Sequence, residues 1–115
     1  MKETILVVSH DPRQADVRKH RLEAAGYDVI SAMSILAVRE TCNSRKVHLV
    51  VIGYSLPPAE VRRVILEVRL GCGAGTPILE LRNHEAATVA DSTAVIQHPQ
   101  EPNRLAEQVR GILEH

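Results

Sequence analysis

Two imidazoles, a carboxylate and a guanidinium stand just beyond apolar runs of this chain. His10 and Asp11 follow Ile5-Leu6-Val7-Val8, Arg82 follows Pro77-Ile78-Leu79-Glu80-Leu81, and His98 follows Val95-Ile96-Gln97. Brought together, His10, Asp11 and His98 could ligate Zn²⁺ or Ni²⁺, which imidazole suits, although the set lacks a cysteine partner. With Arg82 they could instead accept an anion or a partner's carboxylate. The structural alternative, polar strand-end side chains with Arg82 and Asp11 as an internal ion pair, is preferred because charge clusters are commonly structural. Ser9, Tyr54 and Ser55 offer hydroxyls, but no general base stands in a fixed place to activate them. Cys42 and Cys72 lie far apart without metal-ligand spacing and read as reduced thiols. Cys72 sits in the turn Gly71-Cys72-Gly73-Ala74-Gly75, where the sequence names no electropositive neighbour to activate it.

The elements that must position these groups alternate. Five short runs rich in β-branched residues, Thr4 to Val8, Asp28 to Ser31, Leu49 to Ile52, Pro77 to Leu81 and Thr93 to Gln97, are separated by segments of helical character. That alternation predicts a parallel sheet wrapped by helices. The first run is apolar on both faces, as a central parallel strand should be. Asp11 and Pro12 cap a first helix, Arg13 to Ala25, which Gly26 stops. Arg18 and Arg21 fall on or beside its stripe of Ala15, Leu22 and Ala25, so their stems are expected to snorkel. A second helix spans about Ser34 to Asn43. The third is the clearest, with Val61, Val64, Ile65 and Val68 at i, i+3, i+4 and i+7 and Arg62, Arg63 and Glu67 opposite. The glycine-rich turn precedes a strand instead of joining strand to helix, so it is not a phosphate cradle. A short polar segment, Asn83 to Asp91, precedes the fifth strand. A last helix from about Pro102 turns Leu105, Val109 and Ile112 inward.

At 115 residues the chain has room for one domain and one core. The core must be built from Val, Ile, Leu and Ala, because Tyr27 and Tyr54 are the sole aromatics. That scarcity excludes a base-stacking platform. Lys plus Arg and Asp plus Glu number 14 each, so no global field steers the chain to nucleic acid or an anionic membrane. The basic residues of the first and third helices read as solvated faces. No apolar run approaches a membrane span and no signal-peptide pattern opens the chain, from which a cytoplasmic location is expected. Leu113, Glu114 and His115 are similar to the start of a vector-encoded tag. The domain is therefore assigned to 1–112, and 113–115 receive no functional weight.

In this order and spacing, several fragments resemble the receiver domain of bacterial response regulators (the CheY-like superfamily) across essentially the whole chain. They are Ile5-Leu6-Val7-Val8 with Asp11-Pro12, Ala25-Gly26-Tyr27-Asp28-Val29, Leu49-Val50-Val51-Ile52 with Leu56-Pro57, Pro77-Ile78-Leu79 and His98-Pro99. The resemblance implies an α/β, flavodoxin-like (βα)5 three-layer sandwich with sheet order 2-1-3-4-5. Its site would lie at the carboxyl ends of strands one and three. The fourth helix would be shortened, altering the surface through which receivers commonly dimerise.

The same resemblance shows what is missing. Where the family places an acidic pair for Mg²⁺, this chain has Ser9 and His10, with Asp11 beside them. Gly53 stands at the phosphoacceptor position, Arg82 at the hydroxyl position and His98 at the lysine position, while Val95 replaces the strand-five aromatic. Mg²⁺ needs hard oxygen ligands, and Gly53 offers no side chain to phosphorylate. What the resemblance implies is a degenerate pocket of Ser9, His10, Asp11, Gly53, Arg82 and His98 with no phosphoacceptor, no metal, no cofactor and no enzymatic activity. The expected function is a pseudo-receiver in a two-component or phosphorelay system. It would dock a kinase, an output domain or another receiver, or dimerise, without a membrane or nucleic acid as partner. The alternative is a sensor of a small anion or metal in that pocket.

Overall fold

The computed structural model describes residues 2–53, 56–73, 75–82, 94–97 and 104–114, with backbone alone for 82 and 94–97. Its elements in chain order are β1 (Thr4–Val8), α1 (Pro12–Ala24), β2 (Asp28–Ala32), α2 (Ile35–Ser44), β3 (Leu49–Ile52), α3 (Pro58–Gly71), β4 (Ile78–Arg82), β5 (Ala94–Gln97) and α4 (Leu105–Leu113). All pairings are parallel, and the strands lie in the order β2-β1-β3-β4-β5. The parallel sheet wrapped by helices that the alternation predicts, and the strand order that the resemblance implies, are those observed. The expected shortened fourth helix, over Asn83 to Asp91, lies outside the described residues.

Each face of the sheet carries its own core, because successive strand side chains point to opposite faces. Leu6, Val8, Val50, Ile52 and Ile78 meet Val38 of α2 and Val61, Val64, Ile65 and Val68 of α3. Ile5, Val7, Leu49, Val51, Leu79 and Leu81 meet Leu22 of α1 and Leu105 and Val109 of α4. β1 and β3 are buried along their whole length, which is why they read as unbroken apolar runs and not as alternations. Capping follows the sequence: Asp11 Oδ1 accepts from the Arg13 amide at 3.0 Å, Ser34 Oγ accepts from the Ala37 amide at 3.1 Å, and Gly26 takes φ 102° after α1. α4 runs on to Leu113, which packs against the second core.

Two sequence expectations are corrected. Arg21 is exposed, but Arg18 is 1% exposed and does not carry its guanidinium to solvent. On α1 it follows Ala15 by three residues and precedes Leu22 by four, so it shares their inward face and the helix rotation that buries them buries it. Cys42 and Cys72 are not free thiols. They form a disulfide with a Cα–Cα distance of 4.8 Å, since consecutive crossovers bring α2 and α3 side by side on one face and their C-terminal ends meet.

The same two helices are also joined by Arg39 and Glu67, where Nη2 donates to Oε1 at 2.7 Å and Nε to Oε2 at 3.1 Å. The hydrogen bonds from Arg39, foremost, and its charge, with that of Arg63, hold the Glu67 carboxyl below the usual carboxylate range against a smaller opposing effect of desolvation. A carboxyl depressed by folding adds stability above its unfolded pKa, and that contribution is lost as pH falls through the folded value. In an acid titration followed by side-chain carboxyl NMR, Glu67 is expected to protonate below the ordinary glutamate range. Arg39→Gln should raise its midpoint toward that range, and an unmoved Glu67 midpoint would refute the assignment.

Candidate functional site

The carboxyl ends of β1 and β3 lie side by side, with Val8 in register with Ile52 and the Gly53 amide donating to the Val8 carbonyl at 2.8 Å. Ser9, His10, Asp11 and Gly53 therefore gather where the strand order reverses. The side chains of the first three are already engaged. Ser9 is 1% exposed, and its Oγ accepts from the Asp11 amide at 3.0 Å. The Asp11 carboxylate caps α1. His10 turns away to pair through Nε2 with Glu60 Oε2 in the first turn of α3. Arg82 ends β4, and its backbone is in register with Gln97. The side chain of Arg82, and Tyr54, Ser55 and His98 altogether, lie outside the described residues.

Arg18 is the residue that the sequence reading did not place here. A Cβ built on Gly53 would stand 2.7 Å from Arg18 Nη1, 3.4 Å from its Cζ and 3.3 Å from the Val8 carbonyl oxygen. The guanidinium thus fills the space that a side chain at position 53 would enter. β4 adds a buried carboxylate, Glu80, in register with Ile52. Neither Arg18 nor Glu80 is without a partner, as buried ionic groups require. Their sequence signal was a charge inside an apolar pattern. Glu60 carried no such signal, being fifty residues from His10 and brought to it by topology alone.

These residues do not fit Mg²⁺. The ion takes oxygen ligands in near-octahedral geometry. Here the Asp11 carboxylate is committed to a helix cap, Gly53 has no side chain, and a buried guanidinium places a fixed positive charge beside it. Among the described residues no group of three or more His, Cys, Asp or Glu is arranged to hold a metal. The cavity bordered by Ser9, His10, Leu56, Glu60 and Val64 measures about 10 Å³, room for about one water. A more open groove of about 470 Å³ lies at the far end of the sheet, among Lys2, Thr4, Asp28, Arg45 and His48. It has no part in the strand-end site.

No protein-family model matches the chain, and no curated protein sequence matches it. Solved structures do. The chemotaxis protein CheY4 of Vibrio cholerae superposes with a TM-score of 0.83 at 19% identity, over 98% of this chain and 100% of that one. This chain has the fold of CheY-like receiver domains. The receiver domain of sensor histidine kinase PA1611 from Pseudomonas aeruginosa, with magnesium coordinated in its active-site cleft, matches at TM-score 0.82 and 16% identity, over all of both chains. An adenylate cyclase structure from Rhodopirellula baltica matches at 0.85 and 17%, over 99% of this chain and 89% of that one. At these identities the likeness concerns the fold. The receiver-like fold is thus present around a strand-end site in which the Arg18 guanidinium stands where a side chain at position 53 would enter. No described helix is long and apolar enough to cross a membrane.

Proposed function

We propose that this chain is a non-phosphorylatable, receiver-like module of two-component or phosphorelay signalling that works by docking a protein partner and not by catalysis. The partner would be a kinase, an output domain, another receiver or a second copy, met in the cytoplasm. The observation that carries this reading is the placement of Arg18 against Gly53. A receiver switches because an aspartyl phosphate makes contacts that the unphosphorylated form lacks, and a shift requires such differential contacts. In this chain the space for the acceptor holds a guanidinium, so the phosphodonor has no acceptor carboxylate and the metal has no site. The conformation with Arg18 inserted is then the only signalling state at this end of the sheet.

Incubation with acetyl phosphate and Mg²⁺ should leave the intact mass and the amide NMR spectrum unchanged. An adduct of about 80 Da, or shifts centred on Ser9 to Asp11 and Gly53, would restore a phosphorelay acceptor and refute the proposal.

A further inference from the structure

We infer that Cys42 and Cys72 form a reversible redox-modification site, whose substrate is a small thiol or its disulfide and whose output is the coupling of α2 to α3. Cys42 lies in the last turn of α2, and Cys72 caps α3. Their approach is built into the fold. A Cβ on Gly71 would stand 2.9 Å from the Cys42 Cβ, so the absence of a side chain there lets the end of α3 close on α2. The Arg39 to Glu67 pair holds the same two helices one turn earlier. The Arg39 to Glu67 pair involves no sulfur and persists on reduction, so the reduced thiols stay near one another and re-oxidation is intramolecular. In a reducing compartment, disulfides that form are mostly transient and redox-sensing.

The two sulfurs are unequal. Cys42 is 7% exposed, whereas Cys72 is half-buried on a turn with Gly73 at φ 115° and Gly75 exposed. An incoming thiolate therefore attacks Cys72 Sγ, the S–S bond breaks, and Cys42 leaves as a thiolate. A second thiolate attacks the outer sulfur of the mixed disulfide and releases Cys72. The sum is one protein disulfide plus two small thiols giving two protein thiols plus one small disulfide, and oxidation is the reverse. Reduction frees a connected segment: the Cys72 carbonyl accepts from Thr76 Oγ1, and the Thr76 carbonyl accepts from Arg69 Nη1 at the entry to β4. This switch would act on the α2 and α3 face without an acceptor at Gly53.

The full chain, kept native, is equilibrated in graded mixtures of reduced and oxidised glutathione and read by intact mass after acid quench. The expected result is reversible interconversion of dithiol and disulfide. On reduction, hydrogen exchange should accelerate about tenfold or more in the last turns of α2 and α3 while β1 and β3 are unchanged, since local opening reports local stability. Oxidised glutathione should trap a mixed disulfide readily on Cys72 in Cys42→Ser and slowly on Cys42 in Cys72→Ser. Two free thiols at every ratio would overturn the inference. So would a disulfide that is reduced only after unfolding in urea, which is a static staple, or faster trapping at Cys42.

Discussion

Leu79→Ala is expected to lower the free energy of unfolding by about 2–5 kcal/mol, the range for a fully buried leucine whose removal leaves a cavity. Leu79 is 0% exposed and lies on β4, an interior strand, in register with Val51 on one side and Ala94 on the other. It belongs to the core that also holds Ile5, Val7, Leu22, Leu105 and Val109. Leu70→Ala, at a residue 76% exposed on α3, removes the same atoms from water-facing surface and should change stability by less than about 0.5 kcal/mol. Urea denaturation of the two variants gives the comparison. Equal midpoints would mean that the assignment of strand faces is wrong.

The fold was legible because burial leaves a periodic trace. β1 and β3, covered on both faces, had to be unbroken apolar runs, and α3, covered on one, had to repeat Val61, Val64, Ile65 and Val68. The capping residue Asp11 marked the start of α1 because orphan amides there need a side-chain acceptor. That position 53 carries no side chain was equally visible. What stands in its place was not. A charge on the apolar stripe of α1 is compatible with a stem that snorkels and with a head that is buried, and the sequence alone does not choose between them. The meetings of His10 with Glu60 and of Cys42 with Cys72 were hidden for a related reason. They join residues on different βα units, and spacing along the chain carries no record of which helices share a face.

The decisive test of the strand-end site is a double-mutant cycle at Gly53 and Arg18. Gly53→Ala alone should destabilise the domain by about 1–3 kcal/mol, the usual cost of adding a methyl group to a filled space. Gly53 has no left-handed φ to preserve, so the cost comes from contact and not from backbone strain. The nearest atom to the new Cβ, at 2.7 Å, is Arg18 Nη1, and the next, at 3.3 Å, is the Val8 carbonyl oxygen, whose strand cannot yield without breaking its pairing with β2 and β3. An arginine tip on the surface would swing aside at little cost. Arg18 is 1% exposed, and moving its guanidinium means finding new room for a buried charge in a filled, largely apolar neighbourhood. Arg18→Ala removes Nη1 and opens the space, so Gly53→Ala made in that background should cost much less, with a coupling energy of at least about 1 kcal/mol between the two sites. The four proteins of the cycle, compared by urea denaturation, measure that coupling directly. Additivity within about 0.5 kcal/mol would mean that the guanidinium does not occupy the space of a side chain at position 53. The same geometry sets the result for a carboxylate placed there. In Gly53→Asp the carboxylate would be drawn into an ion pair with Arg18 before it could meet a metal, so acetyl phosphate should label it only once Arg18 has also been replaced and an acidic pair rebuilt at Ser9 and His10.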